Sequence, residues 1–277
     1  MIRAITGFLV AVLLLATPVW AQRAADPMLI RAAVLRVDAQ TLRPISRLEL
    51  PTADLGFAGA RLAIEDNDTT GRFMGQDFEA QEVATGPDGA NAALDSLIGA
   101  GIAFIVVLAD DQTTLALADR AGDRATILNA RARGDALRGA DCRANIIHVA
   151  PSHAMIADAL AQFLMWKNWP RWFLVEGSHP ADTDLADAYR RAASKFGAKI
   201  VETRVYEDTG GARRTDSGHV QVQKQMPVFT QRAPAYDVMI AADDSDVFAP
   251  YLPYQTWDPR PVAGSVGLVP RTWHPAM

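Results

Sequence analysis

The chain has 277 residues, of which 49% are hydrophobic and 21% charged, and its formal net charge is −5. This length suits one large domain or two lobes of about 100–150 residues each. The mildly acidic balance excludes the basic surface that nucleic-acid binding requires, and the single Cys142 excludes an internal disulfide and a cysteine-based zinc site.

The first residues have the pattern of an export signal. Arg3 gives a positive start, "FLVAVLLLA" is a short apolar stretch, and "VWA" provides a small-residue cleavage site that ends at Ala21. The apolar stretch is shorter than the ~20 residues that a membrane-spanning helix needs. We therefore expect residues 1–21 to be a signal peptide, a mature chain that begins at Gln22, a periplasmic location in a bacterium, and no membrane insertion after cleavage.

Strand and helix patterns alternate through the first half of the mature chain. The run "IAFIVVLA" is continuously apolar, as expected for a central parallel strand that is covered on both faces. Between such runs, apolar residues recur at helical spacing. Strands are predicted at 29–37, 78–83, 102–109 and 125–129, and helices at 52–67, 88–99 and 113–122.

The same alternation restarts at "NIIHVA" and continues to the last apolar run, "PVAGSVGLV". Strands are predicted at 145–150, 171–176, 199–206, 236–242 and 261–269, with helices following Ser152 and preceding Gly197. Strands that alternate with helices form parallel sheets with right-handed crossovers. Because the rhythm occurs twice, we expect two α/β lobes, lobe 1 at 22–148 and lobe 2 at 149–277.

Polar residues follow many of the predicted strands. Ligands of open α/β sheets bind at the carboxyl ends of the strands, so these residues are candidates for a cleft between the lobes. The alternative is that each one caps the next helix. If several of the carboxylates face the cleft unpaired, they favour a ligand that is cationic, carries a metal or is rich in hydroxyl donors. The predicted ligand-binding residues are Asp110, Asp111, Gln112, Thr113, Asn129 and Arg131 in lobe 1 and Glu176, Ser178, Asp243 and Asp244 in lobe 2.

The patterns of several enzyme classes are missing from the sequence. The five histidines do not have the spacing of a zinc site. The sequence also has no G-x-S-x-G nucleophile elbow, no Walker loop and no G-x-G-x-x-G fingerprint. We therefore predict no catalytic residues, no cofactor and no metal site, and we do not expect an enzyme.

Three long segments together resemble a known family. These are "ADLGFAGARLAIEDNDTTGRFMGQDFEAQ", "IAFIVVLADDQTTLALADRAGDRATILNA" and "MWKNWPRWFLVEGSHPADTDLADAYRRAASKFGAKIVETRVYE". In order and spacing they are similar to type I periplasmic binding proteins, the branched-chain-amino-acid receptors of ATP-binding-cassette (ABC) importers, and the resemblance covers residues 29–269. More narrowly, the chain resembles the subgroup that accompanies pyrroloquinoline-quinone-dependent alcohol dehydrogenase systems.

The resemblance implies both a fold and a function. It implies two Rossmann-like lobes with parallel sheets and a ligand cleft between them. It further implies that the protein is the substrate-binding component of an ABC transporter, with a small-molecule ligand and a membrane permease as partners. An alternative of another class is a sensory or scaffold module of the same fold that serves an alcohol dehydrogenase system.

Two features depart from this family. Its members return from the second lobe to the first, whereas this chain stops at "RTWHPAM", so we expect an incomplete lobe 2. The first-lobe loop reads "ADDQTT" where the family has a Gly-Pro-x-Ser-type loop. Asp110 and Asp111 would repel an anion, so the resemblance does not carry an amino-acid ligand over to this chain.

The stretch "DNDTTGRFMGQD" (66–77) matches the spacing of a calcium-binding loop. Such a loop needs a helix on both sides and prefers a closing Glu. Here the closing residue is Asp77, and "DFEAQEV" predicts a strand. The resemblance implies a helix end and tight turn at this place, with Asn67 and Gly71 as the stop signals, so we do not predict calcium binding.

Overall fold

A computed structural model describes residues 27–38, 52–208, 216–255 and 258–264. The predicted signal peptide at 1–21 and the end of the last predicted strand lie outside these residues. Within the part of the chain that is described, no helix combines the length and the apolar character needed to cross a membrane.

The first sheet has five parallel strands in the order β2-β1-β3-β4-β5. Ala33 of β1 pairs with Ile105 of the central β3, which sets the register of these two neighbouring strands. The strands are β1 (Met28–Val37), β2 (Gln76–Thr85), β3 (Phe104–Leu108), β4 (Thr126–Asn129) and β5 (Ile146–His148). The predicted strands of the first half are therefore present.

Three helices accompany this sheet, α1 (Phe57–Met74), α2 (Ala90–Gly99) and α3 (Asp111–Ala121). The helices α2 and α3 cover one face and form a core with the alternate residues of β1, β3 and β4. The other face has α1 beside β1, where the guanidinium of Arg36 lies 4.8 Å from the ring centroid of Phe57. Farther along that face, Phe104 and Ile147 are 56% and 53% exposed.

The second sheet has four parallel strands in the order β7-β6-β8-β9. The strands are β6 (Arg171–Gly177), β7 (Lys199–Tyr206), β8 (Val238–Ala242) and β9 (Val262–Gly264), and the helices are α4 (His153–Trp166), α5 (Pro180–Phe196), α6 (Asp216–Thr230) and α7 (Leu252–Gln255). One core packs α4 and α5 against the sheet, and a second core packs α6 and α7 against its other face. All of β8 is consequently buried.

The backbone passes from the first sheet to the second through residues 149–152. The strand β5 still pairs with β4, so it belongs to the first sheet. The helix α4 begins after Ser152, whose Oγ accepts the N–H of Met155 at 3.3 Å, and it packs in a core of the second sheet.

The helix α1 is longer than the sequence indicates, and the predicted stop at Asn67 and Gly71 is wrong. The side chain of Asn67 donates to the carbonyl of Ala63 at 2.6 Å, a bond to the preceding turn that leaves the helix intact. The helix ends at Gly75, which has a left-handed φ of 67°.

The calcium-like stretch is therefore a helix followed by a strand, and it has no loop of that kind. Asp66, Asp68 and Thr70 lie within α1, and a carboxylate oxygen of Asp68 accepts the N–H of Phe78 at 3.0 Å. Among the residues that the structure describes, no group of three or more His, Cys, Asp or Glu side chains could hold a metal ion.

Candidate functional site

The loops at the carboxyl ends of the two sheets meet beside the crossing between the lobes. One carboxylate oxygen of Asp135, in the loop after β4, accepts the N–H of Ala154 at 3.1 Å, and the other accepts a hydrogen bond from Arg191 at 3.3 Å. The N–H of His153 donates to the carbonyl of Arg133 at 2.9 Å. The loop after β4 in lobe 1 thus contacts both α4 and α5 of lobe 2.

The two acidic residues after β3 are both engaged by backbone N–H groups. Asp110 is the N-cap of α3, and its carboxylate accepts the N–H of Thr113 at 2.7 Å. Asp111 accepts the N–H of Gly134 at 3.2 Å. A Cβ at position 134 would lie 2.0 Å from the other carboxylate oxygen of Asp111, so any larger residue there would displace the Asp111 side chain from this contact.

Gln112 and Thr113 line a small depression between the first turns of α2 and α3. Its volume is about 210 Å³, and Pro87 and Asn91 form its other side. A larger depression of about 510 Å³ lies at the opposite end of β3 and β4, where Arg143 is paired with Asp119 at 2.5 Å. The larger depression is therefore not at the predicted ligand edge.

Asn129 is fully buried and folds the loop that follows β4. Its side-chain oxygen accepts the N–H groups of Arg131 and Ala132 at 3.1 and 2.8 Å, and its amide group donates to the carbonyl of Ala132 at 2.8 Å. This turn places Arg131 and Arg133 on the lobe 2 side of β4. Within the described residues, neither guanidinium makes a hydrogen bond or an ion pair.

Glu176 and Ser178, after β6, both have partners within lobe 2. Glu176 is buried and forms an ion pair with Arg190 of α5. The hydroxyl of Ser178 accepts the N–H of Asp208 at 3.0 Å. Their contacts hold α5 and the loop after β7 against β6.

Asp243, after β8, anchors the loop that follows it. The side chain is buried and accepts the N–H groups of Val247, Phe248 and Ala249 at 2.7, 2.8 and 2.7 Å. Burial raises the pKa of Asp243 to about 6, although the three N–H donors act in the opposite direction.

Three of the predicted carboxylates have backbone partners. Asp110, Asp111 and Asp243 all accept backbone N–H groups. The structure therefore uses these predicted residues as caps and anchors, which is the alternative that the sequence left open.

Asp244 lies differently, at the junction of the lobes. Its carboxylate oxygen is 3.6 Å from Nε2 of His153. Burial acts to raise the pKa of Asp244, but its interaction with His153, together with the charges of Arg133 and Arg131, outweighs burial and holds that pKa below its usual range.

Two buried polar side chains beside Asp244 were not predicted as site residues. His153 is 4% exposed and Tyr189 is 1% exposed. Among the described residues, the hydroxyl of Tyr189 has no hydrogen-bond partner. The ring nitrogens of His153 have no partner within hydrogen-bonding distance there, and Nε2 makes only the longer contact with Asp244. Burial raises the pKa of the Tyr189 hydroxyl, and the charges of Asp244 and Arg133 act on it in opposite directions. We call Arg131, Arg133, His153, Tyr189 and Asp244 the junction cluster.

Sequence reasoning missed three members of the junction cluster for an identifiable reason. Tyr189 stands at helical spacing among apolar residues of α5 and is interpreted as a core side chain. His153 follows an N-cap, and Arg133 is two positions beyond a predicted residue. A polar side chain within an otherwise apolar helix face is the signal that could have found Tyr189.

The comparisons with known proteins agree with this architecture. A family model described as periplasmic binding protein matches residues 51–216. No curated protein matches the chain.

Many solved structures share the fold. An ABC transporter substrate-binding protein from Desulfitobacterium hafniense, in complex with Leu, is 16% identical, with a TM-score of 0.59 over 85% of this chain and 66% of that one. The leucine-, isoleucine-, valine-, threonine- and alanine-binding protein from Brucella ovis, in a closed conformation, is 17% identical, with a TM-score of 0.62 over 87% and 60%. The substrate-binding protein LivJ from Streptococcus pneumoniae, in complex with isoleucine, is 14% identical, with a TM-score of 0.59 over 86% and 64%.

The chain spans 60 to 66% of the length of these solved structures. Their identities are too low to carry a ligand over, but their TM-scores show the type I fold of two parallel α/β lobes. The proteins compared are substrate-binding proteins, not enzymes. Since the family model covers more than half of the sequence, this chain belongs to the periplasmic binding protein family.

Proposed function

We propose that this protein is the periplasmic substrate-binding component of an ABC-type transport system and binds a small molecule between its two lobes. The observation that carries the proposal is the junction cluster, because it brings side chains from both lobes to the carboxyl ends of both sheets. Open α/β sheets bind ligands at this edge. The family match supports the same role.

A ligand between the lobes would act by favouring the closed arrangement. A ligand that contacts Arg131 in lobe 1 and Asp244 in lobe 2 binds the closed form more tightly than the open form, so it shifts the equilibrium between them. The closed form then docks on a membrane permease. This sequence of events needs no covalent chemistry.

Export to the periplasm is part of the proposal. Family members are periplasmic, and residues 1–21 have the sequence pattern of a signal peptide. When the full-length gene is expressed in a Gram-negative host, N-terminal sequencing of the periplasmic fraction should find a chain that begins at Gln22. An intact Met1 in the cytoplasmic fraction would contradict export.

A thermal-shift screen tests the binding role. The full chain would be screened against amino acids, carboxylic acids, alcohols, aldehydes, amines, quinone cofactors and metal ions. A ligand present at about 100 times its Kd stabilises the folded state by about 2.7 kcal/mol, which for a chain of this size raises Tm by roughly 5–10 °C. Failure of every class to raise Tm would count against a binding protein.

A narrower proposal concerns the system that the protein serves. The sequence resemblance to the subgroup found with pyrroloquinoline-quinone-dependent alcohol dehydrogenases supports a link to alcohol oxidation, either as its transport receptor or as a sensory or scaffold module. Affinity purification from cells grown on an alcohol separates the two roles. A receptor should recover a permease, whereas a sensory or scaffold module should recover the dehydrogenase system without one.

A further inference from the structure

The last turn of α4 exposes two large apolar side chains. Phe163 is 49% exposed and Trp166 is 73% exposed, and their ring centroids lie 6.0 Å apart. The helix reaches a core of lobe 2 through other residues, Ala157, Ala161 and Leu164. The two rings therefore lie outside that core. Adjoining apolar side chains on a protein surface mark a place of contact with a partner or a membrane.

A lysine lies over both rings. The Nζ of Lys167 is 5.0 Å from the ring centroid of Trp166 and 5.8 Å from that of Phe163, which are cation–π distances. Among the described residues, this ammonium group makes no hydrogen bond and no ion pair. Its charge is consequently available to a partner outside the chain.

Three of the four lysines in the sequence, which are at positions 167, 195, 199 and 224, lie at this end of lobe 2. Lys195 is in the last turn of α5, and its Nζ is 2.6 Å from a carboxylate oxygen of Asp158 in α4. Lys199 begins β7, and its N–H donates to the carbonyl of Pro170 at 2.7 Å, in the turn that follows Lys167. The ends of α4 and α5 and the start of β7 thus place three positive charges at the edge that carries the exposed rings. We call this set the lysine patch: Phe163, Trp166, Lys167, Lys195 and Lys199.

The carboxylates next to the lysine patch are already paired. Asp158 pairs with Lys195, and Asp237 pairs with Arg171 at the start of β6, both at 2.6 Å. The ammonium group of Lys199, like that of Lys167, has no acidic partner among the described residues. The patch therefore carries a net positive charge, although the whole chain has a net charge of −5. Charge complementarity favours an anionic partner.

We propose that the lysine patch binds the surface of an anionic lipid bilayer. In this arrangement Phe163 and Trp166 lie at the level of the lipid headgroups, where tryptophan is enriched in membrane proteins. The lysines direct their ammonium groups to the lipid phosphates, while their methylene groups stay beside the apolar part of the interface. The contact is peripheral, made by one helix end and a few side chains, and it goes beyond the proposed ligand-binding function.

A lipid surface accounts for the form of the patch better than a protein partner does. The rings are at a helix end, and neither of the two depressions described above includes them. A protein partner would have to supply a pocket for each ring and a carboxylate for each unpaired lysine. A fluid bilayer supplies an apolar layer and phosphates wherever these side chains lie.

The location of the patch separates membrane contact from ligand binding. The patch is at the amino edge of the second sheet, whereas the junction cluster is at the carboxyl edges of both sheets. A bilayer bound at the amino edge therefore does not cover the junction cluster. Attachment at this edge keeps the protein near a membrane permease while a ligand enters and leaves.

Co-sedimentation with lipid vesicles tests the proposal. The chain that begins at Gln22 is used, so that the apolar residues 1–21 do not contribute to binding. It should bind vesicles of phosphatidylglycerol and phosphatidylcholine in equal parts, and it should bind vesicles of phosphatidylcholine alone far more weakly. Raising the salt concentration from ~0.05 to ~0.5 M should release most of the bound protein, because screening weakens the attraction between lysines and phosphates.

Two matched pairs of variants connect the binding to the patch. Lys167→Gln should weaken binding to the anionic vesicles about fivefold. Lys224→Gln removes an exposed charge from α6, on the other face of the second sheet, and should leave binding unchanged. Trp166→Gln should weaken binding about tenfold or more, because the ring no longer enters the interface. Its control is Phe73→Gln, which removes a 92% exposed ring from α1, away from the lysine patch, and should have no effect.

Three results would overturn the proposal. The first is equal binding to the two kinds of vesicle, and the second is vesicle binding that Trp166→Gln leaves unchanged. The third is a protein that binds neither vesicle but forms a dimer in solution that Trp166→Gln dissociates, which would make the patch a contact between two copies of the chain. None of these results bears on the ligand-binding role, which the thermal-shift screen tests separately.

Discussion

A buried carboxylate stabilises a loop when backbone N–H groups surround it, and Asp243 does this directly after β8. Its two oxygens accept three N–H groups from residues 247–249. Burial nevertheless raises its pKa to about 6. One side chain therefore fixes a loop at the lobe junction and makes the stability of that loop depend on pH.

Asp243→Asn should destabilise the protein at pH 7 by about 2–3 kcal/mol, because an amide N–H₂ would face buried N–H groups that need an acceptor. Urea unfolding followed by circular dichroism measures this loss. Asp184→Asn, at an exposed position of α5, is the control and should change stability by no more than about 0.5 kcal/mol. An equal effect of both variants would show that Asp243 does not anchor the loop.

The pH dependence at Asp243 has a definite sign. Its folded pKa of about 6 lies above the ~3.9 of an unfolded aspartate, so the folded state binds more protons between these values. The contribution of Asp243 to stability is fully present below the unfolded pKa and is lost as pH rises through the folded pKa. The free energy of unfolding of the natural protein, relative to Asp243→Asn, should therefore increase from pH 7 to pH 5. A difference that is flat with pH would contradict the raised pKa.

The limits of sequence reasoning are clear at this scale. An acceptor side chain after a strand is favoured both for a ligand contact and for a helix cap, so the pattern around Asp110 or Asn129 fits either use. The backbone donor that each one meets depends on where a distant segment lies, as with Gly134 against Asp111. Arg131 stays a predicted ligand residue on the ground of its position after a strand, whereas the helical spacing of Tyr189 predicted packing alone.

At the scale of elements, the order of the strands and of the helices up to α5 followed from the hydrophobic pattern, but α6, α7 and the end of α1 did not. The sequence places a stop at Gly71 because glycine and the polar run before it are typical of helix ends. The structure places Gly71 inside the helix, where it is buried against β2. A Cβ at this position would lie 2.8 Å from the ring of Phe78 and 3.0 Å from the carbonyl of Gln76. The glycine is thus needed for close packing, which depends on a contact that local sequence does not reveal.

Two glycines of α1 should consequently respond oppositely to the same substitution. Gly71→Ala should destabilise by about 1–3 kcal/mol, because the added methyl group overpacks the contact with β2. Gly59→Ala, where nothing lies within 4 Å, should stabilise by up to about 1 kcal/mol through helix propensity. Chemical denaturation of both variants measures the two effects. Stabilisation by Gly71→Ala would show that α1 does not pack on β2 in this way.

For the whole molecule, the relation between the lobes depends on a few polar contacts beside one backbone crossing. Asp135 accepts hydrogen bonds from Ala154 and Arg191 of lobe 2. Burial acts to raise the pKa of Asp135, but the hydrogen bonds from Ser152, Ala154 and Arg191 hold it below its usual range. The ionised side chain is therefore the form that joins the lobes.

Asp135→Ala should loosen this junction without unfolding either core. The amide of Ala154 loses its acceptor, so its hydrogen exchange should become about tenfold faster. Asp187→Ala removes an ion pair within a single helix and is the control, since the ion pair that Asp187 forms among the described residues is with Arg190 of α5. Exchange at Ala154 measured by NMR or mass spectrometry should change in the first variant alone. Unchanged exchange in Asp135→Ala would mean that this contact does not hold the lobes.

The short loop after β4 offers a way to detect ligand binding, because it contacts lobe 2 and also carries predicted ligand residues. Residues 130–138 carry Arg131 and Arg133, and they also supply Arg133 O, Asp135 and Arg138 as contacts to lobe 2. A ligand that binds at Arg131 or Arg133 and the rotation of one lobe relative to the other would thus act on the same few peptide units. Ligand binding would therefore change the angle between the lobes, and a change in that angle would change the affinity for the ligand. Fluorophores on the exposed Ala136 and Ser194, on opposite sides of the junction, would convert ligand binding into an optical signal. Because of this linkage, a substitution in the loop that changes ligand affinity would also change the angle between the lobes, and with it the optical signal.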